Sequence, residues 1–360
     1  MKRILACILA LIMVFALMAC GQTQEVTPEA VPEDTKPQYE VEPVQKVIHV
    51  LLPETAEGWE AAAAAEAMTA VEELIQEGIY QVETANYADA QQQSDLLTQI
   101  AAASTGDGSQ AVVTMPAAQD MDAVFAQLLE ANVAYALADV LPEGAAAASV
   151  ANVYYDQQTI GAAMAAWMVE KGLTQDSKIV ILQGFSEEEA LRTDGFKRYL
   201  QGKLAYDGAV IETPWTTTEN IVYSEMEGET AQNAAAYFTS YMEESDHAAT
   251  KYIAAWDDAY LLGVLDALES EDMNADNKAK FLEGMPFLAS CGGSEEMLAV
   301  LAGDSAASFG GLQTALYDTG LLESAVRAMA DHLTGQVVEQ DQPQPITWIS
   351  AENANEHTGY

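Results

Sequence analysis

From residue 46 onward, apolar and polar positions alternate between two rhythms. Short apolar runs, the length of buried strands, alternate with stretches whose apolar positions recur every three or four residues, as on one helix face. The pattern predicts strands at 47–52, 81–84, 111–114 and 134–138, separated by helices at 59–74, 88–103 and 120–131. A loop is expected at 142–149 and an extended segment at 150–155. A second series follows. Its helices are expected at 159–171, 188–200, 229–244, 259–268, 295–302 and 319–333. Its strands are expected at 178–182, 209–213, 252–255, 287–290 and 308–312, with a last extended piece at 346–349. Strand–helix–strand alternation builds parallel sheets with helices on both faces. The expected fold class is α/β, with two doubly wound parallel-sheet lobes of similar architecture.

Residues 1–45 read differently. Lys2 and Arg3 precede a nearly unbroken apolar run over 4–18, and Ala19, Cys20 and Gly21 follow. This is the layout of a secretory signal peptide. The run is shorter than the roughly 20 apolar residues that a membrane span needs. Leu17-Met18-Ala19-Cys20 resembles a bacterial lipobox. The resemblance implies a signal peptide over 1–19, cleavage before Cys20 and lipidation of its thiol. The protein would then sit on the extracytoplasmic face of the cell membrane, in a periplasm or at the cell surface. Residues 20–45 hold Pro28, Pro32, Pro37 and Pro43 among acids and few large apolar residues. Such a stretch cannot bury enough surface to fold and is expected to be a disordered tether.

Charge narrows the partners. The chain has 56 acidic and 14 basic residues in 360, and so repels phosphate backbones; nucleic acid is set aside. Half the residues are hydrophobic, enough for two cored domains. With Cys7 in the signal and Cys20 acylated, Cys291 is the thiol that remains, and no internal disulfide is expected. His49, His247, His332 and His357 are scattered, so Cys291 reads as a packed residue rather than a nucleophile. No G-x-S-x-G, H-E-x-x-H or G-x-x-x-x-G-K motif occurs, which leaves an enzyme without its usual machinery. Asp272, Asn274, Asp276 and Glu283 match the spacing of a calcium loop. Asn277 replaces the expected glycine and Lys280 takes the ninth place, so the reading is a polar loop, with no cofactor expected and calcium as the alternative.

The densest candidate chemistry lies at 252–268. A short apolar strand runs into Trp256, Asp257 and Asp258, and a helix pattern follows. Acids at a helix start accept its orphan N–H groups. Asp257 is expected to face a cleft and Asp258 to cap the helix. In open α/β sheets, ligands bind at the carboxyl ends of the strands.

Several ordered pieces resemble one family. They are the stretch opening Asn86-Tyr87-Ala88-Asp89, the strand at 111–114 with Met115-Pro116, Asp156-Gln157-Gln158-Thr159-Ile160-Gly161, Arg192-Thr193-Asp194-Gly195-Phe196, and Trp256-Asp257-Asp258-Ala259 running to Gly263. In this order they resemble the type I periplasmic sugar-binding proteins, the ribose- and galactose-binding group of ABC transporter receptors. The resemblance implies two lobes joined by a three-segment hinge. The N-terminal lobe would be 46–153 plus 315–340, and the C-terminal lobe 154–314 plus 341–360. It implies a monomer that closes on a small ligand, a sugar first of all, and docks on an ABC permease. A sensor presenting its closed form to a membrane kinase or chemoreceptor is the alternative.

The resemblance also implies ligand-binding residues. Trp59 and Trp215 would stack on ring faces, although either could be a core anchor. Arg192 would clamp hydroxyls, or else pair with Glu188 or Glu189 on its own helix. Asp139 would accept hydroxyl protons, or cap a loop. Asp257 stands where the family usually has Asn, and Thr314 (or Gln313) where it has Gln. The chain departs further at Gly292, where an Asp is usual, and at Val140, where Arg often follows. With fewer partners for Asp139 and Asp257, an aminated or cationic ligand becomes a second option, because a buried carboxylate needs a counter-charge.

Overall fold

The computed structural model describes residues 45–360 except 56–57, 225, 227 and 229. The expected signal peptide, the lipidation at Cys20 and all but the last residue of the tether lie outside the described residues. Among the described residues no helix is long and apolar enough to cross a membrane.

The chain opens with β1 (Lys46–Pro53), α1 (Trp59–Glu77), β2 (Tyr80–Tyr87), α2 (Ala90–Ala103), β3 (Gln110–Thr114), α3 (Asp122–Glu130) and β4 (Ala134–Ala138). A short α4 (Glu143–Ala148) occupies the stretch expected to be a loop, before β5 (Ala151–Tyr154). Its alanines favour helix, and the Asp122 carboxylate accepts from the N–H of Ala145 at 2.8 Å. The next elements are α5 (Gln157–Glu170), β6 (Ile179–Leu182), α6 (Glu187–Leu200), β7 (Ile221–Tyr223), α7 (Ala231–Tyr241), β8 (Tyr252–Ala255) and α8 (Asp258–Glu269). Then come α9 (Ala275–Glu283), β9 (Phe287–Gly292), α10 (Glu295–Ala302), β10 (Gly311–Leu316), α11 (Leu321–Leu333), β11 (Asp341–Pro343) and β12 (Thr347–Ser350).

Two six-stranded sheets result, in the orders β11-β5-β4-β3-β1-β2 and β12-β10-β9-β8-β6-β7. Every pairing is parallel except that β12 runs antiparallel to β10. Each sheet therefore turns back on itself beside its first strand, the place where a crevice opens at the carboxyl ends. Side-chain alternation explains why both faces are covered. Ile48, Val50 and Leu52 of β1 enter one core with α1 and α11, while Leu51 enters another with Leu97 and Phe125.

The chain passes between the sheets three times, after β5, after β10 and after β11. The boundaries differ slightly from those expected. Asp341–Pro343 pairs with Asn152–Tyr154 of the first sheet, and Asn152 Nδ2 donates to the Asp341 carboxylate at 2.9 Å. The last crossing thus follows Pro343 rather than residue 340. Ala315 and Leu316 remain in β10, so the second crossing follows Leu316 rather than residue 314.

Two glycines set the packing of the second lobe. A Cβ on Gly161 of α5 would lie 1.8 Å from the Arg192 carbonyl oxygen of α6. A Cβ on Gly195 would lie 2.0 Å from the Gln158 carbonyl oxygen. The two helix backbones touch here because neither residue has a side chain, and this contact fixes the height of Arg192.

Candidate functional site

The carboxyl ends of both sheets line one cavity of about 870 Å³. That volume lies within the range of small-molecule sites, about 300–1,000 Å³. Its walls draw on the ends of β4, β5, β8 and β10 and on the first turns of α1, α5 and α6. Trp59, Asp139, Arg192 and Asp257, four of the six residues expected at a site, line it together.

Each has a local reason for its place. Trp59 is the first residue of α1, and its indole N–H donates to the Tyr317 carbonyl at 3.3 Å, across to the segment leaving β10. Asp139 ends β4 with a left-handed backbone, φ 63°, which Asp tolerates better than most residues. Its N–H donates to Val153 at 2.9 Å, and among the described residues no hydrogen bond reaches its carboxylate. Desolvation pushes the Asp139 carboxyl up to about 6; Arg192 opposes the shift, while Glu188 and Glu60 add to it. Arg192 spends Nε on Gln157 Oε1 at 2.7 Å and Nη1 on the Trp256 carbonyl. Its guanidinium lies 5.3 Å from the centre of the Tyr317 ring. The helix-surface pair with Glu188 or Glu189 does not form. Instead Ser186 and Glu189 build a capping box that ties up the Glu189 Oε2.

Asp257 and Asp258 divide their work differently from expectation. Asp257 is both the cap and the cavity residue, since its Oδ1 accepts from the Ala259 N–H at 2.7 Å. Asp258 is only 2% exposed and caps nothing in its own helix. It accepts from Ser290 Oγ (2.5 Å), Thr314 Oγ1 (2.6 Å) and the N–H groups of Gly293 (2.7 Å) and Ser294 (2.8 Å). It thereby knots α8 to β9, β10 and the start of α10.

Thr314 is therefore a structural residue, buried in mid-strand against Asp258 rather than at a strand end. Trp215 also lies away from the cavity. The strand expected at 209–213 does not form; the sheet takes Ile221–Tyr223 beside β6 instead. Trp215 thus precedes its strand, and it packs in the core with its backbone N–H on the Leu200 carbonyl at 2.8 Å. At the calcium spacing, Ala275–Glu283 is helical and Asn274 caps it through the Asn277 N–H. Among the described residues no three His, Cys, Asp or Glu side chains converge as metal ligands.

Sequence reasoning missed most of the aromatic wall. Tyr155, Trp256, Tyr317 and Tyr360 line the cavity. Trp256 is fully buried, its indole N–H donating to Thr193 Oγ1 at 2.7 Å and its ring edge-on to Phe196. Tyr155 and Tyr317 lie 5.1 Å apart, and Tyr155 clasps the backbone of Asp318 at the second crossing. Tyr155 ends an expected extended segment, and Trp256 and Tyr317 follow expected strands by one and five residues, the signal that could have found them. Tyr360 had none. A side chain at Gly292 would meet the Asp258 carboxylate and the Tyr360 hydroxyl at 2.9 Å, so Tyr360 helps fill the space of the missing acceptor. Cys291 is buried, and desolvation pushes its thiol up to about 12, which keeps it protonated at neutral pH.

Comparison with known proteins bears on this geometry. Residues 48–336 match the model of the periplasmic binding protein domain. The chain belongs to this family. Its members are extracytoplasmic proteins that bind solutes for transport rather than enzymes. No curated protein matches the chain. Among solved structures, a periplasmic ribose ABC transporter protein from Conexibacter woesei superposes with TM-score 0.66 at 14% identity, covering 87% of this chain and 94% of that one. An ABC transporter solute-binding protein from Bacillus halodurans with bound myo-inositol gives 0.62 at 16%, covering 87% and 96%. One from Mycobacterium smegmatis with bound glycerol gives 0.61 at 17%, covering 88% and 98%. At these identities the likeness establishes the fold.

Proposed function

We propose that this periplasmic binding protein domain captures a small polyhydroxylated solute between its lobes and delivers it to an ABC importer. One observation carries the reading: a single cavity takes residues from the carboxyl ends of both sheets. A ligand seated there touches Trp59 and Asp139 of one lobe and Arg192 and Asp257 of the other at once. Contacts made to both lobes together are what draw a hinge shut. The lining suits a sugar or polyol. Aromatic faces meet apolar ring faces, while carboxylates, amides and one guanidinium meet hydroxyls. The ribose transporter protein and the myo-inositol- and glycerol-bound proteins of similar structure are consistent with that chemistry.

The protein would act as a lipid-anchored monomer, held by Cys20 on a tether of about 25 residues, roughly 25–30 Å in mean reach for a flexible chain. The test is a thermal-shift screen of neutral sugars, polyols and their aminated forms, followed by titration calorimetry. Specific binding by at least one compound is expected, weakened about tenfold or more in Arg192→Ala. Absence of binding across the screen, or unchanged affinity in that variant, would remove the reading. Cys20→Ser should move the protein from the membrane to the soluble fraction; if it stays membrane-bound, lipidation at Cys20 is wrong.

A further inference from the structure

Among the described residues, eight carboxylates and one basic side chain line the cavity. The count alone says little in so acidic a chain, but two of these carboxylates are placed in a way that their number does not explain. Among the described residues no hydrogen bond reaches the Asp139 carboxylate. Its electrostatic neighbours are Arg192, Glu188 and Glu60, with the Tyr87 and Tyr155 hydroxyls from the ends of β2 and β5, and Arg192 makes no ion pair with it within 4.0 Å. Glu189, also in the lining, is 2% exposed. Its Oε2 is taken by the N–H groups of Gly184 and Ser186, and its Oε1 is buried with no partner.

Buried acceptors without donors are rare, because each has given up its water. Glu189 is one such acceptor, and Asp139, on the opposite lobe, is a half-buried carboxylate of the same cavity with no donor among the described residues; both call for donors from the ligand. Hydroxyl groups could donate but bring no counter-charge. An ammonium brings three donors, no acceptor and the missing positive charge. Arg192 adds the complementary requirement. Two of its nitrogens are committed to Gln157 and Trp256, and among the described residues its Nη2 has no hydrogen-bond partner. A ligand hydroxyl can accept from it.

We infer that the solute is a polyhydroxylated amine, an amino sugar in chemical class, with its ammonium directed to Asp139 and Glu189 and its hydroxyls to Arg192. This rests on the solute-capture reading above and narrows it.

Titration calorimetry and thermal shift with D-glucosamine and D-galactosamine, against D-glucose, D-galactose and the N-acetylated amino sugars, test it. Acetylation keeps the ring and removes the charge. The expected result is that an amino sugar binds at least tenfold tighter than both its neutral parent and its acetylated form. Asp139→Asn should reduce that preference about tenfold or more. Glu189→Gln, which keeps the capping geometry, should reduce it as well, and serves if the first variant folds poorly. The amine's affinity should also fall as the pH drops through about 6, where Asp139 takes up a proton. Equal or tighter binding of neutral sugars would overturn the inference while leaving solute capture intact. An amine preference that survives both substitutions would overturn the assignment of its seat. Failure of all these compounds and of the wider neutral screen would overturn both readings.

Discussion

Asp139 and Asp258 follow β4 and β8, the fourth strand of one lobe and a central strand of the other; Asp258 is buried and Asp139 half-buried at the cavity wall. Burial raises the carboxyl pKa of each above its ordinary value. Their surroundings differ completely. Asp258 receives four hydrogen bonds from two hydroxyls and two backbone N–H groups, which act against the shift. Among the described residues, Asp139 receives none. A satisfied buried acid acts as a structural knot, whereas an unsatisfied one beside a cavity is a group whose partner arrives later. The adjacent pair Asp257-Asp258 repeats the lesson within two residues, since one faces the cavity and its neighbour holds the sheet.

The comparison can be broken most forcefully at Asp258. Asp258→Ala strands four buried donors and should cost about 3–5 kcal/mol in urea unfolding. A loss below about 1 kcal/mol would mean that the knot is not structural. Next comes Gly161→Val, which drives a side chain into the Arg192 carbonyl. A loss of about 2–3 kcal/mol is expected, together with weaker ligand binding as Arg192 is displaced. If stability falls and affinity is untouched, Arg192 is not positioned by the α5–α6 contact.

Asp139→Asn should have the opposite sign. Between pH about 4 and about 6, folded Asp139 keeps a proton that the unfolded chain has released, so the wild type loses stability as the pH rises through that window. The variant escapes this. It should be more stable than wild type by about 1–2 kcal/mol at pH 8, since water reaches part of the cavity, and equal to it at pH 4. A variant that is less stable at pH 8 would place Asp139 with the structural acids. The smallest effect is expected at Trp215. Trp215→Phe should cost about 1 kcal/mol and leave ligand affinity within about twofold, because the ring packs in the core.

Strand–helix alternation and the two-lobe architecture were legible because parallel strands buried on both faces leave apolar runs that stand out between amphipathic helices. Trp59, Asp139, Arg192 and Asp257 were legible because each follows a strand or lies in the opening turns of a helix, where α/β sheets present their ligands. Trp215 misled for the same reason in reverse. The apolar Val210 and Ile211 looked like a strand, but Val210 is exposed and β6 pairs with Ile221–Tyr223. Local pattern cannot tell which of two short segments wins a tertiary pairing. Thr314 failed on register, three residues short of Tyr317, which reaches the cavity. Tyr360 comes to the site only through tertiary packing against Ser294 and Glu295, which no periodicity announces.

The central claim is that Trp59, Asp139, Arg192 and Asp257 form one solute site between the lobes. Intrinsic tryptophan fluorescence tests it most directly, because Trp59 and Trp256 line that cavity. Titration with the tightest compound from the sugar and amino-sugar screen should give a saturable change in wild type. Arg192→Ala, from one lobe, and Asp139→Ala, from the other, should each raise the Kd by about tenfold or more. Saturable binding with the wild-type Kd in both folded variants would contradict the account.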